Sequence, residues 1–490
     1  MMHAPCSARQ LIPALVRAIS STSGTAAGGA VAVAKPASSS GGLASLLGFS
    51  SNRVTTPLSE PLPGVQLPLR AALPSAPAKL QTSEVADGVT VASIGTVGPV
   101  STIALIVRGG SSAETAMTAG ASKVLEAMAF KASADRSSFR VSRELEKLGA
   151  VAYAQADRDS ITFAIDTIKL HTPEATEILL DTVLNARMAY HEVRDNIDLV
   201  KSELAKSLAN PEFALNEVLH RVAYDGSLGQ PLIVDPSAMH LSTDTLAEFH
   251  ASLMQPGNLM LAGIGAEHEE LKGLATPLLS SGLKKGKAAV VAPSVYVGGS
   301  ANVVASSPLT HIALAFEAKG GLSDAKTAAM SAIAKMLFDE SEGSVPWSAK
   351  ESAVQGMSAF AHMYKSSGLV GIMACSMPSQ AGSLIDAVYK KIAAAATSVS
   401  EQQLAVAKAS AISSYKAQLA SSCTALPLIT SQLMSSGSYD SATFTAAVSA
   451  VTPAQISAFI KTMVACAPTM VTYGPLANLP RYESIVKRLA

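Results

Sequence analysis

An α+β fold in two homologous domains, each a β-sheet with helices packed on one face, is what this chain of 490 residues predicts. Three observations carry that expectation. The chain repeats itself at a long period, each repeat opens on apolar strand segments, and each closes on a capped helix followed by one more strand.

The repeat is read from five segments in the same order. TIALIVRGGSSAE from Thr102 matches HIALAFEAKGGLSDA from His311, EAMAF at Glu126 matches AKMLF at Ala334, and LLDTVLN at Leu179 matches LIDAVYK at Leu384. VKSELAKSLA at Val200 pairs with AKASAISSYK at Ala407, and the segment from Leu241 with the one from Val451; all five offsets fall between 205 and 210 residues. A duplication follows, with domains at 80–285 and 295–490. The segment 286–294 between them lies in a stretch rich in Gly, Pro and Lys and is expected to be an exposed linker.

Within each repeat the elements follow from pattern. Val89 to Ile94, Thr102 to Val107 and Ile312 to Phe316 are apolar or alternating runs of strand length. A helix is expected through Glu126 and through Ala334, a further strand at Ser160 to Ile165, and long helices at about 173–187 and 194–207. Ser242 or Thr243 in the first repeat, and Thr452 followed by Pro453 in the second, are helix-start signals. Strands are expected after both helices, at Leu259 to Ile264 and Thr469 to Tyr473. The run from Glu267 to Glu270, which includes His268, is expected to begin a solvated helix. Gly109, Gly110, Gly320 and Gly321 follow strands without a phosphate-loop context and are read as turns.

The first 55 residues are of another kind. No Asp or Glu occurs from Met1 to Ser59, whereas Arg9, Arg17, Lys35 and Arg53 stand among many Ser and Ala residues. That composition predicts a mitochondrial transit peptide within a disordered segment, because it allows a cationic amphipathic helix. Lys plus Arg equals Asp plus Glu at 37 each, so no bulk field draws in nucleic acid. Cys6, Cys375, Cys423 and Cys466 lie far apart with no C-x-x-C, which points to a reducing compartment. No apolar run is long enough to predict a transmembrane helix; the nearest, Val91 to Val107, is broken by Gly95, Gly98 and Pro99.

GASKVLEAMAFK, Gly120 to Lys131, has the outline of an H-x-x-E-H zinc-peptidase helix in which Lys123 and Ala127 stand at the histidine positions. An ammonium has no lone pair for a metal and a methyl has no donor, so Glu126 is left as a base with no water to activate. No catalytic residue, metal or cofactor is expected. A pairing of Lys123 with Glu126 or with Glu203 is expected instead.

KVLEAMAFK, Glu203 at 76 residues after Ala127, GSLGQP at Gly226 and the two halves resemble the pitrilysin-type metallopeptidase family over residues from about 80 to 490. The resemblance implies two α+β domains, with Glu203 at the third zinc-ligand position. LTHIALAFE from Leu309, SAFAHMYKSSGLVGIMAC from Ser358 and APTMVTYGPLANLPRYESI from Ala467 are similar to its non-catalytic branch. That branch holds the second core subunit of ubiquinol-cytochrome c reductase (respiratory complex III) and the α subunit of the mitochondrial processing peptidase. The resemblance implies a scaffold on the matrix face of the inner membrane, partnered by a β or first core subunit and by the b- and c-type cytochrome subunits. Its alternative implication is a subunit that binds presequence peptides while the β subunit cleaves them. The corresponding substrate loop here, Phe338 to Gly356, has only Gly343 and Gly356 as glycines and carries Pro346 and Trp347. Glu340, Glu342, Gly343 and Ser344 are its candidate substrate-binding residues, with acidic groups suited to a basic peptide.

Overall fold

The computed structural model describes residues 80–85, 88–96, 98–283, 292–339, 354–437, 440–475 and 479–489. The expected transit segment, residues 286–291 of the expected linker, and Glu340, Glu342, Gly343 and Ser344 lie outside the described residues.

The first half runs β1 (Leu80–Val85), β2 (Val89–Ile94), β3 (Val100–Arg108), α1 (Ala121–Ala127), α2 (Ser138–Leu148), β4 (Val151–Ala156) and β5 (Ser160–Ile168). It continues through α3 (Thr172–Leu184), α4 (Tyr190–Leu208), α5 (Pro211–Ala223), β6 (Tyr224–Asp225), α6 (Thr243–Leu253), β7 (Leu259–Ile264) and α7 (His268–Gly282). The second half runs β8 (Val295–Tyr296), β9 (Gly299–Val303), β10 (Thr310–Glu317), α8 (Ala325–Phe338), β11 (Gly356–Met363) and β12 (Gly368–Ser376). It ends with α9 (Ala381–Thr397), α10 (Glu401–Leu419), α11 (Ser422–Ser436), α12 (Ser441–Ala450), α13 (Pro453–Val464), β13 (Thr469–Tyr473) and α14 (Tyr482–Leu489).

The duplication is visible in sheet order. The first sheet reads β1-β2-β7-β3-β5-β4 and the second β11-β12-β10-β13-β9, so the second repeats the first in reverse listing, with no equivalent of β1 among the described residues. The one parallel pairing recurs too, β2 with β7 and β9 with β13. The helix starts form as the residue types dictate. Ser242 caps α6 and Thr452 caps α13, each in a reciprocal capping box closed by Thr245 or Gln455, with Pro453 opening α13.

Side chains alternate across the strands and sort into separate cores. On one face of the first sheet Ile103, Leu105, Val107, Phe163 and Leu261 pack under α1, α3, α6 and α7. Ile312, Leu314, Phe316, Val370 and Ile372 do the same under α8, α9 and α13 in the second. The opposite faces are buried as well, and each is covered by a helix of the other half. Leu426, Ile429 and Leu433 of α11 lie on Ala104, Ile106, Ala164, Met260 and Ala262 of the first sheet. Leu215 and Leu219 of α5 lie on Ala313, Ala315 and Val471 of the second. The many alanines on these faces allow a helix to approach the sheet closely.

A polar layer seals the α5 crossing. In the β4–β5 turn, buried Arg158 bonds Glu217 of α5 at 2.7 Å, and the second Glu217 oxygen accepts the backbone N–H of Leu232 at 2.9 Å. His220 of the same helix pairs with Tyr364 Oη at 2.7 Å through Nε2, with the His362 ring 5.2 Å away. Burial, then the Arg158 charge, pushes both histidines down, His362 to about 4. His268 departs from the solvated reading of its segment. It opens α7 as expected, but its ring is buried and bonded to Ser93 Oγ at 2.9 Å and Ser83 Oγ at 3.0 Å, because β1 and β2 pack against this helix.

Candidate functional site

The degenerate motif folds as the short helix α1 between β4, β5, α4 and α6. Its N-cap is Gly120 at φ +82°, which has no side chain to satisfy the free helix N–H groups. Glu114 supplies that function from six residues upstream. Its two carboxylate oxygens accept the N–H of Gly120 and of Ser122, both at 2.7 Å. The chain reaches this position because Gly109, at φ +120°, and Gly110 turn it immediately after β3. A Cβ on Gly110 would stand 1.9 Å from the Asp157 carbonyl oxygen.

Glu114 is 7% exposed, and burial pushes its carboxyl up to about 7 against the pull of those two N–H groups and of Lys123. The sign of the linkage follows. Below the ordinary value of 4.5 both folded and unfolded chains carry the proton; between 4.5 and about 7 only the folded chain keeps it. Stability therefore falls as pH rises through that window, by about 3 kcal/mol for this group. Glu114→Gln should flatten that part of a pH–stability curve; an unchanged slope would contradict the assignment.

Three residues down the helix from Lys123, Glu126 receives the ammonium, Nζ to Oε2 at 2.7 Å. The same oxygen accepts the backbone N–H of Ala156 at 2.9 Å, at the end of edge strand β4. Both side chains are partly exposed, so the net contribution to stability is small, on the order of 0.5 kcal/mol. Its consequence is positional: the carboxylate is held against β4. Ala127 is partly buried against the first core. Glu203 lies on α4, which packs beside α1, but its side chain is exposed, whereas the neighbouring Leu204 enters the core. Of the motif positions, the fold thus brings Lys123 and Glu126 into contact, sets Ala127 beside them, and leaves Glu203 outside that contact.

A bound zinc would need lone pairs at 123 and 127, and the donor set does not fit one. The Lys123 ammonium already holds Glu126, and position 127 offers a methyl. Among the described residues no group of three or more His, Cys, Asp or Glu side chains is placed to hold a metal ion. Two parts of the site went unnoticed in the sequence, Glu114 and the Ala156 N–H. The missing cap at Gly120 was the only signal for the first; the second is a backbone group and carries none.

Two sheet-and-helix halves, related by duplication and with a helix of H-x-x-E-H outline in the first, define a chain of metallopeptidase architecture. The family described as Insulinase (Peptidase family M16) matches residues 90–236, and the Peptidase M16 inactive domain matches residues 240–411. The chain is 32% identical over 472 residues to the mitochondrial-processing peptidase subunit alpha of Solanum tuberosum, covering 92% of each chain. It is 26% identical over 454 residues to the cytochrome b-c1 complex subunit 2 of Rattus norvegicus, covering 89% of this chain and 97% of that one. A chain of complex III2 from Candida albicans has the same fold, with a TM-score of 0.72 at 17% identity over 84% of this chain and 99% of that one. The protein belongs to peptidase family M16.

Proposed function

We propose that this chain is a non-catalytic core subunit of mitochondrial ubiquinol-cytochrome c reductase, scaffolding the matrix side of complex III together with a β or first core subunit. The observation that carries the non-catalytic reading is the contact at the motif. Glu126 is held by Lys123 and by the Ala156 N–H, and Ala127 has no donor, so no water is activated there. The match along 97% of the rat cytochrome b-c1 subunit, at 26% identity, supports the assembly. The subunit carries no redox group of its own and works beside the b- and c-type cytochrome subunits.

The mitochondrial names of the relatives and the acid-free basic N-terminus support residues 1–55 as the transit segment, ahead of domains at 80–285 and 295–490. Among the described residues no single helix is long and apolar enough to cross a membrane, which suits peripheral attachment to the matrix face.

A second reading, the α subunit of the processing peptidase, is favoured by the 32% identity to the potato protein. In that role the chain holds presequence peptides for a catalytic β subunit, with Glu340, Glu342, Gly343 and Ser344 as the substrate residues. Mixing the purified chain with a catalytic β subunit and a presequence peptide separates the two. The core-subunit reading expects cleavage no faster than with the β subunit alone. A rise of tenfold or more would transfer the assignment to the second reading.

A further inference from the structure

The second half contains a cleft between α8 and α13. In the first half the connection from β3 to α1 spans Gly109 to Gly120, and Leu253 of α6 lies over Gly109, where a Cβ would stand 2.9 Å from it. In the second half the corresponding connection, from β10 to α8, is only Ala318 to Asp324. The space between α8 and α13 is left open as a cleft of about 330 Å³. Its wall is built by buried Met330 and by Phe459, with Cys466 also lining it. Exposed Lys319 and Lys326 also line it, together with Glu317.

The carboxylates at this edge, Glu317 and Asp324, both have hydrogen-bond partners of their own. Glu317 accepts a hydrogen bond from Ser367 Oγ at 3.2 Å, on the side of the polar layer between the halves. Asp324, beside Lys326 in sequence, is turned to cap α8, accepting the Lys326 N–H at 3.0 Å and the Thr327 hydroxyl at 2.7 Å. Neither ammonium is joined to a carboxylate by an ion pair among the described residues. A concave apolar wall of this volume with a few polar groups at its edge is the form of a small-molecule site, whereas macromolecular docking surfaces are broader and flatter. Thioether and aromatic side chains adapt well to a flexible chain.

We infer that the cleft between α8 and α13 binds a small anionic amphiphile of the medium-chain carboxylate class, its chain against Met330 and Phe459 and its carboxylate at Lys319 and Lys326. Such a ligand satisfies both halves of the cleft, because neither an alcohol nor a simple anion uses the apolar wall and the two ammonium groups together.

Cys466 provides the readout. The full-length chain is treated with N-ethylmaleimide in the presence of decanoate or decanol, and alkylation of each cysteine is followed by peptide mass spectrometry. Decanoate is expected to protect Cys466 with half-effect on the order of 0.1 mM, and decanol roughly tenfold less well. Cys423, exposed and outside the cleft, reports non-specific effects and should be unchanged. The surface changes Lys319→Glu and Lys326→Glu together should raise the half-effect concentration at least about tenfold while leaving the melting temperature in place. Equal protection by decanol, equal protection of Cys423, protection that survives the double change, or protection given only by a co-purifying polypeptide would each overturn the inference.

Discussion

Glu217→Ala is expected to destabilise the chain by about 3–5 kcal/mol, the largest loss for any single charged residue in the polar layer. Glu217 and Arg158 are 7% and 4% exposed, so removing the carboxylate strands a guanidinium away from water. It also leaves the Leu232 and Ile233 N–H groups without their acceptor. The cost arises from the group left behind rather than from the strength of the pair, which gives the prediction a second arm. Arg158→Met combined with Glu217→Leu should cost less than Glu217→Ala alone, since no uncompensated charge remains. As a contrast, Arg194 and Asp195 are 3.6 Å apart and both well exposed, and Arg194→Ala should change stability by less than about 0.5 kcal/mol. Denaturant unfolding of the three variants measures all of this; a double variant less stable than Glu217→Ala would contradict the account.

Leu426→Ala is the second large effect, about 2–5 kcal/mol from lost burial and the cavity left behind. The residue is 1% exposed and lies on α11, a helix of the second half that covers the first sheet. Its loss should therefore weaken both halves at once. Because α5 makes the reciprocal crossing, the chain is expected to unfold in one transition, and Leu426→Ala should lower that single midpoint. Two separate transitions, with only the second half weakened, would show that the crossings do not couple the halves.

These crossings mark the limit of what was legible in the sequence. Strand limits at Val89–Ile94, Leu259–Ile264 and Thr469–Tyr473 agree with the expected runs residue for residue, because these short strands are buried on both faces and the run ends where burial ends. The cap at Thr452 was equally plain, since one hydroxyl at the start of an apolar period is a local signal, while Ser242 and Thr243 offered two candidates of which Ser242 is the cap. By contrast α11 carries Pro427 within it, which argues against a helix in any local reading. Most of its apolar face is covered by strands of the other half, which no local pattern reveals. The edge strand β4, VAYAQA, is mostly half-buried and shows no alternation of apolar with polar residues.

At the motif, Lys123 and Ala127 could be read as residue types, and their chemistry alone made the zinc fit doubtful. That Lys123 chooses Glu126 over Glu203 needed the geometry, because the choice depends on which face α4 turns outward. Glu114 was harder still. Its value as a cap depends on the glycine turn that brings it back to α1, and a carboxylate near pH 7 in its titration has no signature in sequence.

Purification of the native protein in mild detergent, followed by its absorption spectrum and zinc content, tests the central claim most directly. The account predicts b- and c-type haem co-purifying with the chain, and no zinc bound to the chain once it is separated from its partners. A haem-free preparation holding one tightly bound zinc per chain would contradict it, since Lys123, Glu126 and Ala127 would then have to be part of a working metal site.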